Sequence, residues 1–251
     1  MSAALSLRRV SLSFPRGRRH LVPVLSAVSM ELARGEVMAV LAQRAQGKTS
    51  LLRVAAGMQR PDDGEVLFES RCIWSMSDRR RARLLRERIA LVEASAPALD
   101  VPVLTGVALP LLAAHSRRWA YERAGATLDD LGVGACADQR WSELADWERA
   151  LVALAHGVAR EPDVLVVDDL TATLGMGESD EMARMLERLA TQRGMAILMS
   201  APQASTLLGV TRLAWLDGGS LTHPDDGLAP QAPAGGTVVD FPGSRSRHAS
   251  R

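Results

Sequence analysis

Among 30 basic side chains in the sequence, Lys48 is the single lysine, and every other cationic position is arginine. A compact, mobile ammonium reaches between phosphate oxygens as a point charge, whereas the planar guanidinium is bulkier and rigidly forked. The setting of Lys48 fits that use. Ala42-Gln43-Arg44-Ala45-Gln46-Gly47-Lys48-Thr49-Ser50 follows an apolar run and opens a helical pattern. There a Gly-rich loop turns backbone N–H groups toward an anion. The segment matches G-x-x-x-x-G-K-[ST] except that Ala42 replaces the first glycine, which places Lys48 for phosphate and the Thr49 hydroxyl for Mg²⁺. A second candidate is the acid pair Asp168-Asp169. A strand-end turn explains one aspartate, but less readily one that follows an apolar run and precedes a second acid.

These residues need elements to hold them. Residues 36–41 form a short apolar run and 49–57 read as a helix, giving strand, loop, helix. Val164 to Val167 is a second buried-strand pattern ending at Asp168, and 195–200 is a third, after a helical stretch over 178–192. Apolar strands alternating with helices predict an α/β fold with a mostly parallel sheet covered on both faces. Residues 93–140 lack strand periodicity and carry helical patterns such as Trp119 to Leu131, which predicts an inserted helical lobe. The segment near Leu5 to Met30 alternates as antiparallel strands do.

The 251 residues suit one large domain or one domain with an inserted lobe, and 47% hydrophobic content supplies a core. A net charge of +1 gives no sign of nucleic acid as a partner. Two cysteines, Cys72 and Cys136, are too few for a disulfide framework and have no metal-ligand spacing, which fits a reducing compartment. No apolar run approaches the roughly 20 residues of a spanning helix, and the Arg-rich amino terminus lacks a signal-peptide core. From residue 227 the composition shifts to Pro, Gly, Ala, Ser and Arg, which predicts a disordered tail over 227–251.

In order along the chain, the phosphate-loop segment, LLRVAAGMQRPDDGEVLFESRCIW, SMSDRRRARLLRERIALV and WSELADWERALVALAHGVAREPDVLVVDDLTATLG resemble the nucleotide-binding subunit of ATP-binding cassette transporters. The likeness runs from about Leu5 to Leu221 and is nearest the lipoprotein-release, macrolide-export and cell-division-type branch. It implies a P-loop NTPase core, an antiparallel β subdomain at the N-terminus and an inserted α-helical subdomain at about 93–158, with residues 1–226 as the ATP-binding domain. It implies ATP and Mg²⁺ as cofactors. Gln43, Arg44, Ala45, Gln46, Gly47, Lys48, Thr49 and Ser50 would cradle the phosphates, and Thr49 and Asp168 would hold the metal. Phe14 stands where an aromatic ring stacks on adenine, with a buried core aromatic as the competing reading. The implied partners are an integral-membrane permease and a second ATPase subunit, identical or different, at the inner, cytoplasmic face of the membrane.

Several positions depart from the family pattern. The glutamate that orients the attacking water is Asp169, one methylene shorter, and a misplacement of about an ångström can cost ~10²-fold. The glutamine of the segment IALVEASAPALD aligns with Ala94, with Glu93 as its substitute if the register slips. The signature Leu-Ser-Gly-Gly-Gln reads Leu144-Ala145-Asp146-Trp147-Glu148, which removes a hydroxyl and adds bulk and negative charge. Asp146 is the expected N-cap of the helix that follows. Gly175 replaces a dimer-contact aspartate and Ala201 replaces the histidine that reaches the γ-phosphate. Together these changes predict weak or lost hydrolysis with nucleotide binding less damaged. The alternative is a non-hydrolysing scaffold or regulatory partner of a permease.

Overall fold

A computed structural model describes residues 3–16, 20–43, 45–94, 100–201 and 209–223. Arg44 and the tail from residue 227 lie outside the described residues. The strands are β1 (Leu5–Arg16), β2 (His20–Leu32), β3 (Val37–Leu41), β4 (Asp63–Phe68), β5 (Arg71–Cys72), β6 (Ile89–Glu93), β7 (Val164–Asp168), β8 (Ala196–Ala201), β9 (Arg212–Asp217) and β10 (Ser220–Thr222). The α-helices are α1 (Lys48–Ala55), α2 (Asp78–Glu87), α3 (Val103–Ala108), α4 (Arg117–Asp130), α5 (Asp146–Val158) and α6 (Met176–Arg193).

The strands make two sheets, ordered β2-β1-β4-β5 and β10-β9-β3-β8-β7-β6. The first is antiparallel; in the second only the β9–β10 pair is antiparallel. Parallel strands buried on both faces need apolar residues at every position, and β3 and β7 are buried throughout. Alternate residues of β3 serve opposite layers. Val37, Ala39 and Leu41 face the cluster built with α5 and α6, while Met38 and Val40 face the one built with α1, β1 and β2.

Between β6 and β7 the described residues form α3, α4 and α5 with intervening 3₁₀ turns, and no strand. This is the expected helical insertion. Its buried Val103, Val107 and Leu128 belong to the same cluster as Leu165, Val167 and Met182, so the insertion and the sheet share one core. Glu93 itself is not part of the insertion but closes β6. The Pro61-Asp62-Asp63-Gly64 turn enters β4 with Gly64 at φ +87°, where a Cβ would lie 2.4 Å from the Arg9 carbonyl oxygen. Only glycine allows that approach.

Candidate functional site

The site lies at the carboxyl ends of β3, β8 and β7, the edge at which open α/β sheets hold ligands. β3 ends at Leu41 and the chain passes through Ala42 and Gln43, then Ala45, Gln46 and Gly47, into α1. Ala45 has φ +62° and Gly47 φ +94°. A left-handed alanine costs roughly 1–2 kcal/mol, which the loop sustains without its usual glycine. At Gly47 no side chain fits, because a Cβ would stand 2.6 Å from Val24 Cγ1. Gly47 is also the N-cap of α1 and has no side chain to satisfy the helix's first N–H groups. Those donors are left uncapped, an arrangement that can accept an anion.

Lys48 Nζ donates to the Ala42 carbonyl at 3.2 Å. One of its three protons is thus used within the loop, and no described carboxylate pairs with it. Thr49 is exposed and Ser50 half-buried on the first turn of α1. Gln46 Oε1 accepts from the Gly218 N–H at 3.4 Å, joining the loop to the β9–β10 hairpin. Phe14 lies opposite Val22 in the β1–β2 ribbon and is 40% exposed, so it is not a buried core aromatic. The same ribbon touches the loop at Val24.

Across β8 from the loop, β7 delivers Asp168, which is 6% exposed. Its Oδ1 accepts from the Ser200 hydroxyl at 2.9 Å, and the Ser200 oxygen accepts from the Asp169 N–H at 2.8 Å. Among the described residues no cation pairs with Asp168. A buried carboxylate without a counter-charge is costly unless a cation joins it. No described cluster of three or more His, Cys, Asp or Glu residues could hold a metal alone. A single acid with a nearby hydroxyl therefore fits Mg²⁺, which keeps waters and takes substrate oxygens, better than a caged ion. Asp169 is exposed with φ +55°.

Glu93 pairs in register with Asp168. Its carboxylate accepts from Arg53 on α1 through Nη2 at 2.7 Å and Nε at 3.1 Å, which ties the end of β6 to the phosphate-loop helix. Ala94 lines a cleft with Trp141, Asp146, Arg149, Leu170 and Thr173, between the sheet edge and the start of α5. At that start Asp146 is not the N-cap. Ala145 is, and Asp146 is the first helical residue, bound to Arg149 Nη1 at 3.1 Å. Glu148 reaches back to accept from the Ala145 N–H at 2.8 Å, and its other oxygen lies 3.5 Å from Cys136 Sγ. Burial and then Glu148 push the Cys136 thiol upward, so it stays protonated. Trp147 packs half-buried against the shared core. Gly175 caps α6, and Ala201 is fully buried at the end of β8 beside Leu41.

A family model described as ABC transporter matches residues 25–172, a span that includes the loop and both acids. The chain belongs to the ABC transporter family. It is 30% identical to the lipoprotein-releasing system ATP-binding protein LolD of Roseobacter denitrificans over 220 residues, covering 87% of this chain and 97% of that protein. The LolD of Myxococcus xanthus is 30% identical over 224 residues, covering 88% and 99%. Among solved structures, the dimeric bacterial ABC transporter cassette MJ0796 superimposes with TM-score 0.79 at 20% identity, over 86% of this chain and 96% of that one. cbiO1 of Clostridium perfringens gives TM-score 0.76 at 22% identity, over 88% of each. The ABC cassette fold is thus present with both sheets and the helical insertion.

The structure places the candidates Lys48 and Thr49 after the end of β3, and Asp168 and Asp169 at the end of β7, on the same edge of the parallel sheet. Sequence reasoning missed Ser200 and Arg53. Ser200 is the lone hydroxyl of an otherwise apolar strand, but nothing in the sequence spacing ties it to the two acids.

Proposed function

We propose that this chain is an ATP-binding subunit of an ABC transporter that takes up Mg-ATP at the carboxyl edge of its parallel sheet and turns it over slowly or not at all. The observation that carries the reading is an asymmetry within one site. Gly47-Lys48-Thr49 and the buried, cation-free Asp168 are present, while Ala94, Ala145-Asp146-Trp147-Glu148 and Ala201 stand where the family resemblance implies groups that act on the terminal phosphate.

In this reading the N–H groups of the loop and the start of α1 bind the phosphates, with Gln43, Ala45, Gln46, Gly47 and Ser50 as its walls. Lys48 supplies its two remaining N–H donors. Thr49 and Asp168 hold Mg²⁺, which when bound neutralises charge on the β- and γ-phosphate oxygens. The exposed ring of Phe14 stacks on the base. Asp169 orients water from a shorter reach than glutamate. Residues 1–226 form the ATP-binding domain, and the helical insertion over about 93–158 docks on a separate integral-membrane permease. The curated relatives are named as lipoprotein-releasing ATP-binding proteins, and this chain spans 97–99% of the two described above. That supports an export system, with the subunit on the cytoplasmic face of the membrane and paired with a second ATPase subunit. No described helix is long and apolar enough to cross a membrane.

Titration with a fluorescent ATP analogue tests binding. Wild type should saturate, and Lys48→Ala should bind at least about tenfold more weakly, as expected for losing a charge-assisted contact. Equal, negligible binding by both overturns the nucleotide reading in favour of a scaffold. Steady-state phosphate release tests turnover. It should stay low even for a pair co-purified with an intact ATPase subunit, because the partner's site would face Leu144 to Glu148.

A further inference from the structure

Strand β8 sends one polar side chain to the acids, that of Ser200, which is 1% exposed. A hydroxyl has one proton and two acceptor positions. Because the Asp169 N–H occupies an acceptor position at 2.8 Å, the proton goes to Asp168 Oδ1 at 2.9 Å. The result is a one-way relay of dipoles, N–H to O–H to carboxylate, in which each bond polarises the next. It has two consequences. The Asp168 carboxylate is held in one orientation, with Oδ2 accepting from no described residue. The Asp169 backbone is held at φ +55°, a conformation non-glycine residues avoid.

We propose that Ser200 is a positioning residue whose hydroxyl aims the Asp168 carboxylate at Mg²⁺ and pins the left-handed backbone of Asp169. The inference rests on the Mg-ATP reading above. It assigns to position 200 a share of the work at this strand end, where the neighbouring Ala201 offers only a methyl group.

Fluorescent-ATP titrations in Mg²⁺ and in EDTA on wild type, Ser200→Ala and Ser200→Thr test it. Mg²⁺ should tighten binding to wild type. Ser200→Thr should keep most of that gain, and Ser200→Ala should lose about tenfold or more of it, the usual effect of removing a partner that orients a metal ligand. Affinity in EDTA should stay within about twofold for both variants. A Ser200→Ala protein with the full Mg²⁺ gain overturns the proposal. So does a loss equal in Mg²⁺ and EDTA, which is what a merely structural role produces, or a wild type with no Mg²⁺ gain. A wild type that binds nucleotide in neither condition overturns the nucleotide reading itself. Without nucleotide, amide exchange at Asp169 should speed up in Ser200→Ala but not in Ser200→Thr. Unchanged exchange overturns the clamp on the backbone.

Discussion

At the scale of one residue, the proposed role of Asp169 in orienting water is open to a direct test. The residue is exposed, left-handed, and one methylene short of the family's glutamate. Asp169→Glu restores the reach but not the signature or the position-201 histidine, and groups that act as a unit are grossly non-additive. Single-turnover phosphate release should therefore rise by less than about tenfold; a larger rise means that side-chain length alone limits turnover. Gly47 makes a stability prediction. Gly47→Ala places a methyl against Val24 and forces a left-handed alanine, so urea denaturation should show a loss of at least about 1–2 kcal/mol. Lys48 and Asp168 were legible because each stands out locally, one as a lone lysine, the other as an acid ending an apolar run. Ser200 was not. Its partners are 31 and 32 residues away at the end of β7 and just beyond it, a distance at which spacing says nothing about contact.

The start of α5 shows what an element adds to its sequence. Two acids, Asp146 and Glu148, sit within its first turn, and both favour a helix N-terminus. Pattern alone made Asp146 the cap. The chain instead enters one residue earlier, because Glu148 at the third helical position can then close on the Ala145 N–H while Asp146 pairs with Arg149. With Glu148 turned back on the helix, less negative charge faces outward than the string Asp-Trp-Glu suggests. Glu148→Ala should cost about 0.5–2 kcal/mol in thermal or urea unfolding, while Glu148→Gln keeps the acceptor and should cost much less. The strands were legible as unbroken apolar runs. The insertion was legible only as helical in kind, since its α3 spans six residues and 3₁₀ turns break the period.

At the scale of the whole molecule, the sheets are fastened at the end opposite the site. Arg34, just before β3, donates to Asp163 and to Glu69 at 2.6 Å each. Arg88, just before β6, donates to the same two acids. Four charges of alternating sign thus connect the β4–β5 turn to the amino ends of the parallel strands. Burial pushes the Asp163 carboxyl up, but Arg88 and then Arg34 outweigh it and hold it below the usual carboxylate range. A depressed folded value gives stability that is present above the unfolded value of about 3.9 and is lost as pH falls through the folded one. Melting temperature should accordingly fall below about pH 4 in wild type. Asp163→Asn should melt lower at pH 7 and show a flatter acid limb; parallel limbs would exclude this network from acid unfolding. None of it was legible in sequence, because charges from four loops meet only after both sheets have formed.

The half-buried Lys48 at the loop has a practical corollary. Apart from a chain-terminal amine, it is the only primary amine in the protein. An amine-selective acylating reagent therefore addresses one internal atom, and intact mass alone counts whether that atom was reached. Occupancy of the cradle becomes a matter of shielding: a triphosphate seated there should slow the appearance of the modified species, and an inert anion of the same concentration should not.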